Sequence, residues 1–152
     1  MITEVLKPEN VKIIEQVSDW KEAIKVSLED LVADGSVEKC YIDNVIESTI
    51  HYGPYYVLTE DVALVHGRSE EGVNKKQLAV TLLRKSVQFS ENTYPVRLLI
   101  ALAATDSESH LDVMRILASI FMDETKIEEM VNADTKETLY QLFLKAEENI
   151  EE

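Results

Sequence analysis

The sequence predicts an α/β fold, a three-layer sandwich in which a mixed, roughly five-stranded β-sheet is flanked by helices on both faces. Three observations carry this prediction. Segments of helical period open and close the chain, and short apolar runs of strand character lie between them. One of those runs, "RLLIALA" (Arg97 to Ala103), is apolar at every position after Arg97, as expected of a central strand covered on both faces. The chain has 152 residues, 45% hydrophobic and 29% charged, so residues 1–152 read as a single domain able to bury its own core.

The elements follow in order. "NVKIIEQV" (Asn10 to Val17) reads as a first strand. Asp19 with Glu22 resembles a capping box and opens a helix in which Trp20, Ala23, Ile24, Leu28 and Leu31 recur at helical spacing, with Gly35 as its stop. Ser36 is placed to cap a second helix carrying Tyr41, Val45, Ile46, Thr49 and Ile50 on one side, ended by Gly53 and Pro54. The period then changes. Tyr55 to Leu58, Val62 to Val65, Gln77 to Leu83 and Arg97 to Ala103 read as strands. Thr105 and Glu108 form a capping box for a helix with Leu111, Met114, Leu117, Ala118 and Phe121 on its apolar side. Two more helices are expected near Glu124–Asn132 and Lys136–Glu148, with "KAEENIEE" as a fraying end.

Composition excludes several function classes. The formal net charge is −14, which opposes binding to nucleic acid or to an anionic membrane surface and favours a basic protein partner. Much of that acidity also reads simply as a solvated surface. The longest apolar run, Leu98 to Ala104, falls far short of the roughly 20 residues of a membrane helix, so no direct membrane insertion is expected. "MITEVLKPEN" lacks the pattern of a signal peptide, and the single Cys40 fits a reducing, cytoplasmic setting. Oligomeric state has no signature in the sequence.

The chemistry concentrates at "DVALVHGRSEEG" (Asp61 to Gly72), where an apolar strand delivers His66, then Gly67 and Arg68. A residue just past a strand end sits where α/β folds place their sites. Imidazole has an ordinary pKa of about 6.5, so near neutral pH it is a nucleophile able to accept and pass on a group. Phosphoryl transfer needs positioning and charge neutralisation, and the Arg68 guanidinium would supply the charge. Gly67 lets a partner or backbone amides approach. From the spacing alone, His66 is equally a histidine that caps a strand end. His110, in "TDSESHLDV", would reach the same sheet edge if its preceding strand neighbours that of His66; taken alone it is a solvated first-turn residue. His51, at the end of the second helix, complements the helix dipole. The three histidines form no compact metal-ligand motif, and no Walker loop, dinucleotide fingerprint or G-x-S-x-G is present.

"GPYYVLTEDVALVHGRSEEGV" (Gly53 to Val73) together with "RLLIALAATDSESHLDVMRILA" (Arg97 to Ala118) resembles the EIIA component of the bacterial phosphoenolpyruvate-dependent sugar phosphotransferase system, mannitol/fructose superfamily, and in particular the ascorbate-specific type. The two motifs occupy about a quarter of the chain, and the likeness extends loosely over nearly all of it. The resemblance implies a mixed sheet flanked by helices. It puts the phosphoryl-accepting histidine at His66 and the supporting active-site histidine at His110, with Arg68 as a charge stabiliser. It implies a phosphotransferase component that takes a phosphoryl group from phospho-HPr and passes it to a cysteine of the cognate EIIB. EIIB and the membrane EIIC then couple transfer to uptake of L-ascorbate or a related sugar or polyol. No cofactor or metal enters such a transfer. The same chemistry would also serve a regulatory EIIA-like domain whose phosphorylation controls binding to a non-transport partner. One position departs from the family pattern: family members commonly have proline before the active histidine, and here Val65 stands there. Valine loosens the φ restraint while favouring extended backbone, so the strand-to-loop turn is expected to survive.

Overall fold

The computed structural model describes residues 2–105 and 111–151. A 3₁₀ turn at Ile2–Glu4 leads into β1 (Leu6–Ile14); α1 (Trp20–Ala33) and α2 (Cys40–Tyr52) follow. Then come β2 (Val57–Thr59), β3 (Asp61–Val65), β4 (Gln77–Val87) and β5 (Val96–Ala103), and last α3 (Leu111–Phe121), α4 (Glu124–Val131) and α5 (Lys136–Glu151). The strands form one sheet in the order β1-β4-β5-β3-β2. β1 runs parallel to β4 and β3 parallel to β5, whereas β4–β5 and β2–β3 are antiparallel. The expected mixed five-stranded sheet is therefore what the chain builds, with β5 and its apolar run Leu98–Ala103 at its centre.

Alternation along the strands divides the core in two. Val62 and Leu64, Leu78, Val80 and Leu82, and Leu98, Ile100 and Leu102 face one side, where Val113, Ile116, Leu117, Ile120, Met130, Leu139 and Phe143 of α3–α5 cover them. The other face carries Ala63, Val65, Ala79, Ala101 and Ala103, packed against Ala23, Ile24, Leu28 and Leu31 of α1 and Tyr41 and Val45 of α2. Four strand positions on this face, Ala63, Ala79, Ala101 and Ala103, are alanine, and the larger helix side chains fill the space beside them.

Several boundaries differ from those expected. The first strand begins at Leu6, not Asn10; its register with β4 shifts between Leu6 and Val11, and the exposed Lys7, Pro8 and Glu9 fall in that irregular stretch. Proline is tolerated there because β1 is an edge strand. Asp19 caps α1 as expected, accepting from the Glu22 N–H at 2.9 Å, but Glu22 returns its bond to the Ser18 N–H rather than to Asp19. Ser36 does not cap α2. It is buried with no partner for its Oγ, Val37 bridges to Val73, and the helix starts only at Cys40 with Lys39 at the N-cap. Here the backbone pairing to the 72–75 segment wins over a cap: the Ser36 carbonyl accepts from the Asn74 and Lys75 N–H groups.

The β2 strand is confined to Val57–Thr59, leaving both tyrosines ahead of it. α3 buries Val113, Ile116, Leu117 and Ile120, while Leu111 is 59% exposed. Its apolar face is therefore rotated from the one the spacing suggested, because apolar residues occupy most of the helix circumference. Glu108, half of the expected Thr105–Glu108 box, lies outside the described residues. The C-terminal stretch does not simply fray: Ala146 and Glu147 are buried, and Glu147 Oε2 accepts the Ile2 N–H at 2.7 Å. No helix among the described residues is long and apolar enough to cross a membrane.

Candidate functional site

β3 is buried from Val62 to Val65, and its pairing with β5 ends at Val65 opposite Ala101. The next residue, His66, emerges half-buried at the C-terminal edge of the sheet. β5 ends at that same edge, and β4 starts there, with Gln77 opposite Ala103.

The imidazole is tied down on one side. His66 Nδ1 lies 2.7 Å from the Leu64 carbonyl oxygen. A carbonyl oxygen only accepts, so this contact requires a proton on Nδ1, and in the neutral ring the lone pair is then on Nε2. The Tyr55 ring stands edge-on to the imidazole, with centroids 5.4 Å apart at 90°. The Tyr55 hydroxyl donates to the His66 carbonyl at 3.0 Å, and the Gly67 N–H donates to the Tyr41 hydroxyl at 2.7 Å.

Local sequence explains this arrangement. Tyr41 and Val45 lie one turn apart on α2 and face the loop. A Cβ on Gly67 would meet Val45 Cγ2 at 3.1 Å and Tyr41 at 3.5 Å, so glycine lets the loop settle on the helix without displacing Val45. Tyr55 and Tyr56 divide their roles. Tyr56 is fully buried, with its hydroxyl 2.6 Å from Thr49 Oγ1, while Thr49 donates to the Val45 carbonyl. The Thr49 proton is thereby committed, so Tyr56 is the donor to Thr49, and burial pushes its phenol above the ordinary range. With Tyr56 anchored on α2, Tyr55 is left on the surface beside His66.

Arg68 is exposed, two residues past His66, at the head of the 3₁₀ turn Ser69–Glu71. His110 lies outside the described residues, so its approach to His66 stays an expectation. His51 is in the last turn of α2, exposed and ring-to-ring with Tyr52 at 4.5 Å. Cys40 is the exposed first residue of α2. Among the described residues no group of three His, Cys, Asp or Glu is placed to hold a metal ion. The residues that sequence reasoning left out of the site are Tyr41 and Tyr55. The one available signal was the Tyr-Tyr pair before a strand, a place where alternation sends one ring inward and the other out. A hollow of about 420 Å³ opens at the other end of the sheet, beside Asp61 and Arg97, away from His66.

The family model described as phosphoenolpyruvate-dependent sugar phosphotransferase system, EIIA 2, matches residues 4–146. The chain belongs to that family. This EIIA chain is 35% identical over 130 residues to the mannitol-specific cryptic phosphotransferase enzyme IIA component of Escherichia coli K12, spanning 86% of this chain and 88% of that one. It is 31% identical over 136 residues to the ascorbate-specific PTS system EIIA component of Shigella flexneri, covering 88% of each. Among solved structures, the solution structure of the E. coli cryptic IIA protein CmtB superposes with a TM-score of 0.88 at 31% identity, over 95% of this chain and 98% of that one. The E. coli IIA mannitol protein, solved in complex with phosphorylated IIB, superposes at 0.78 with 26% identity, over 93% of this chain and 99% of that one.

Proposed function

We propose that this EIIA chain is a single-domain, cytoplasmic phosphocarrier that accepts a phosphoryl group on Nε2 of His66 from phospho-HPr and passes it to a cysteine of its cognate EIIB. The observation that carries this reading is the 2.7 Å contact between His66 Nδ1 and the Leu64 carbonyl oxygen. With Nδ1–H committed to the Leu64 carbonyl, the Nε2 lone pair is the nucleophile, and no described residue bonds to it. In the first step Nε2 attacks phosphorus while the bond from phosphorus to the donor breaks and its electron pair returns to the donor. In the second a thiolate of EIIB attacks, the N–P bond breaks, and the pair returns to Nε2. Arg68, fixed in charge, would offset charge on the transferring oxygens, and His110 would support the acceptor.

Protein partners fit the surroundings. Ile50, Tyr52, Tyr55 and Leu58 expose apolar surface along the end of α2 and into β2, and the IIA mannitol protein has been solved with its phosphorylated IIB. Membrane EIIC would couple the second transfer to uptake. The relatives include mannitol and ascorbate proteins at 35% and 31% identity, so the proposed cargo is L-ascorbate or a related sugar or polyol.

The deciding experiment is incubation with phosphoenolpyruvate, Enzyme I and HPr, followed by peptide mass mapping. One acid-labile phosphate on His66, lost in His66→Ala, is the expected result; a phosphate that persists in that variant on another residue overturns the assignment. His110→Ala is expected to slow transfer in a folded protein, and unchanged kinetics would remove His110 from the site.

A further inference from the structure

The hydrogen bonds of Tyr55 and Tyr41 end on the same peptide unit. The Tyr55 hydroxyl grips its oxygen, the His66 carbonyl, at 3.0 Å, and the Tyr41 hydroxyl accepts from its N–H, that of Gly67, at 2.7 Å. We propose that Tyr41 and Tyr55 are positioning residues that clamp the His66–Gly67 peptide from opposite sides, so that the imidazole keeps a single orientation with Nε2 outward. This rests on the phosphocarrier reading of His66 and extends it to two residues that need not touch the phosphoryl group.

A peptide plane gripped at both its polar atoms cannot rotate without breaking one of the bonds. Its orientation sets the direction of the His66 Cα–Cβ bond, and the Leu64 carbonyl then holds the ring by Nδ1 at 2.7 Å. The edge-on Tyr55 ring closes one side against rotation about the Cβ–Cγ bond. The two tyrosines come from separate elements: Tyr41 is fully buried in the first turn of α2, and Tyr55 is 48% exposed ahead of β2. Since a misplacement of about 1 Å can cost on the order of a hundredfold in rate, such a clamp belongs to the chemistry of the site rather than to its stability.

The test uses the full chain labelled with ¹⁵N-histidine, as wild type, Tyr41→Phe, Tyr55→Phe, Tyr55→Ala and the double Tyr41→Phe/Tyr55→Phe. Ring ¹⁵N shifts and couplings report the His66 tautomer without any phosphorylation, and phospho-HPr supplies the transfer kinetics. Circular dichroism verifies that each variant is folded; the phenylalanine variants keep the ring volume, so they are the ones on which the proposal stands. Wild type is expected to show His66 as the Nδ1–H tautomer. The double variant should move toward the mixture of free imidazole and lose about tenfold in kcat. The KM for phospho-HPr should stay within about twofold in Tyr41→Phe, because a buried hydroxyl does not meet the partner. Tyr55→Phe, retaining the ring, should be less impaired than Tyr55→Ala. A double variant with the wild-type tautomer and wild-type kcat would overturn the clamp and leave the phosphocarrier reading intact. Absence of phosphate on His66 in wild type, with HPr active, would instead overturn the phosphocarrier reading and the tyrosine roles with it.

Discussion

Asp61 opens the strand that ends at His66, and it does so with φ +72°, the one non-glycine residue in the left-handed region among those described. Aspartate tolerates that conformation better than most residues. The carboxylate is forked onto Arg97, with Nε 2.9 Å from Oδ1 and Nη2 3.0 Å from Oδ2, and the Asp61 N–H donates to the Pro95 carbonyl at 3.0 Å. The carboxylate in turn raises the Arg97 pKa further above its ordinary value. Strain and ion pair thus sit on the same residue and set where β3 starts against β5. Asp61→Ala should cost about 1–3 kcal/mol through loss of a charged, bidentate pair, and Asp61→Asn less, since asparagine keeps the backbone preference and one hydrogen bond. Asp61→Val should exceed Asp61→Ala, because branching at Cβ adds strain in the left-handed region. Denaturant midpoints check the order; equal midpoints for the alanine and valine variants would remove the backbone contribution.

Packing between elements decides the shape of the His66 loop. α2 presents Tyr41 and Val45 to that loop, and the loop answers with Gly67, where a Cβ would press on Val45 Cγ2 at 3.1 Å and force it to give by a few tenths of an ångström. Gly67→Ala should push the loop off α2. We expect about a tenfold slower labelling of His66, with a stability loss of only about 1 kcal/mol from overpacking. Val45→Ala in the same chain removes the obstructing methyl and should recover part of the rate. A Gly67→Ala protein labelled at the wild-type rate would show that the loop position is not set by α2. The same element illustrates how pairing overrides local signals: Ser36 has a capping side chain, yet the bridge from Val37 to Val73 postpones the helix to Cys40.

The two ends of the described chain close on each other. Glu147, late in α5, is 8% exposed and takes the backbone N–H of Ile2, itself buried beneath the sheet. Glu147→Ala should destabilise by about 1–3 kcal/mol, because it strands a buried donor. Glu147→Gln, which keeps an acceptor oxygen, should lose less. Thermal melts of the pair test this, and equal losses would mean that charge rather than the hydrogen bond matters. The net charge of −14 acts over longer distances. With a basic donor, His66 labelling should slow as ionic strength rises and the Debye length shrinks from about 10 Å at 0.1 M to about 3 Å at 1 M. Initial rates across a salt series measure it; a flat series would show that encounter is not electrostatically steered.

Sequence by itself determined the class of this fold and where His66, the proposed acceptor, leaves the sheet. The periods of the apolar residues separate helices from strands, an unbroken apolar run marks the central strand, and an imidazole placed directly after a buried strand can only emerge at the sheet edge. These are local properties, written in neighbouring side chains. What only the tertiary structure decided are matters of pairing at a distance. They include the order of the strands, the start of α2, the buried face of α3 and the grip of Glu147 on Ile2. Tyr41 and Tyr55 belong to this second group. They are 14 positions apart in the chain and mark no motif. Their hydroxyls meet on one peptide only because α2 and the approach to β2 fold against the same strand end, and no local rule encodes where two separate elements will bring their side chains together.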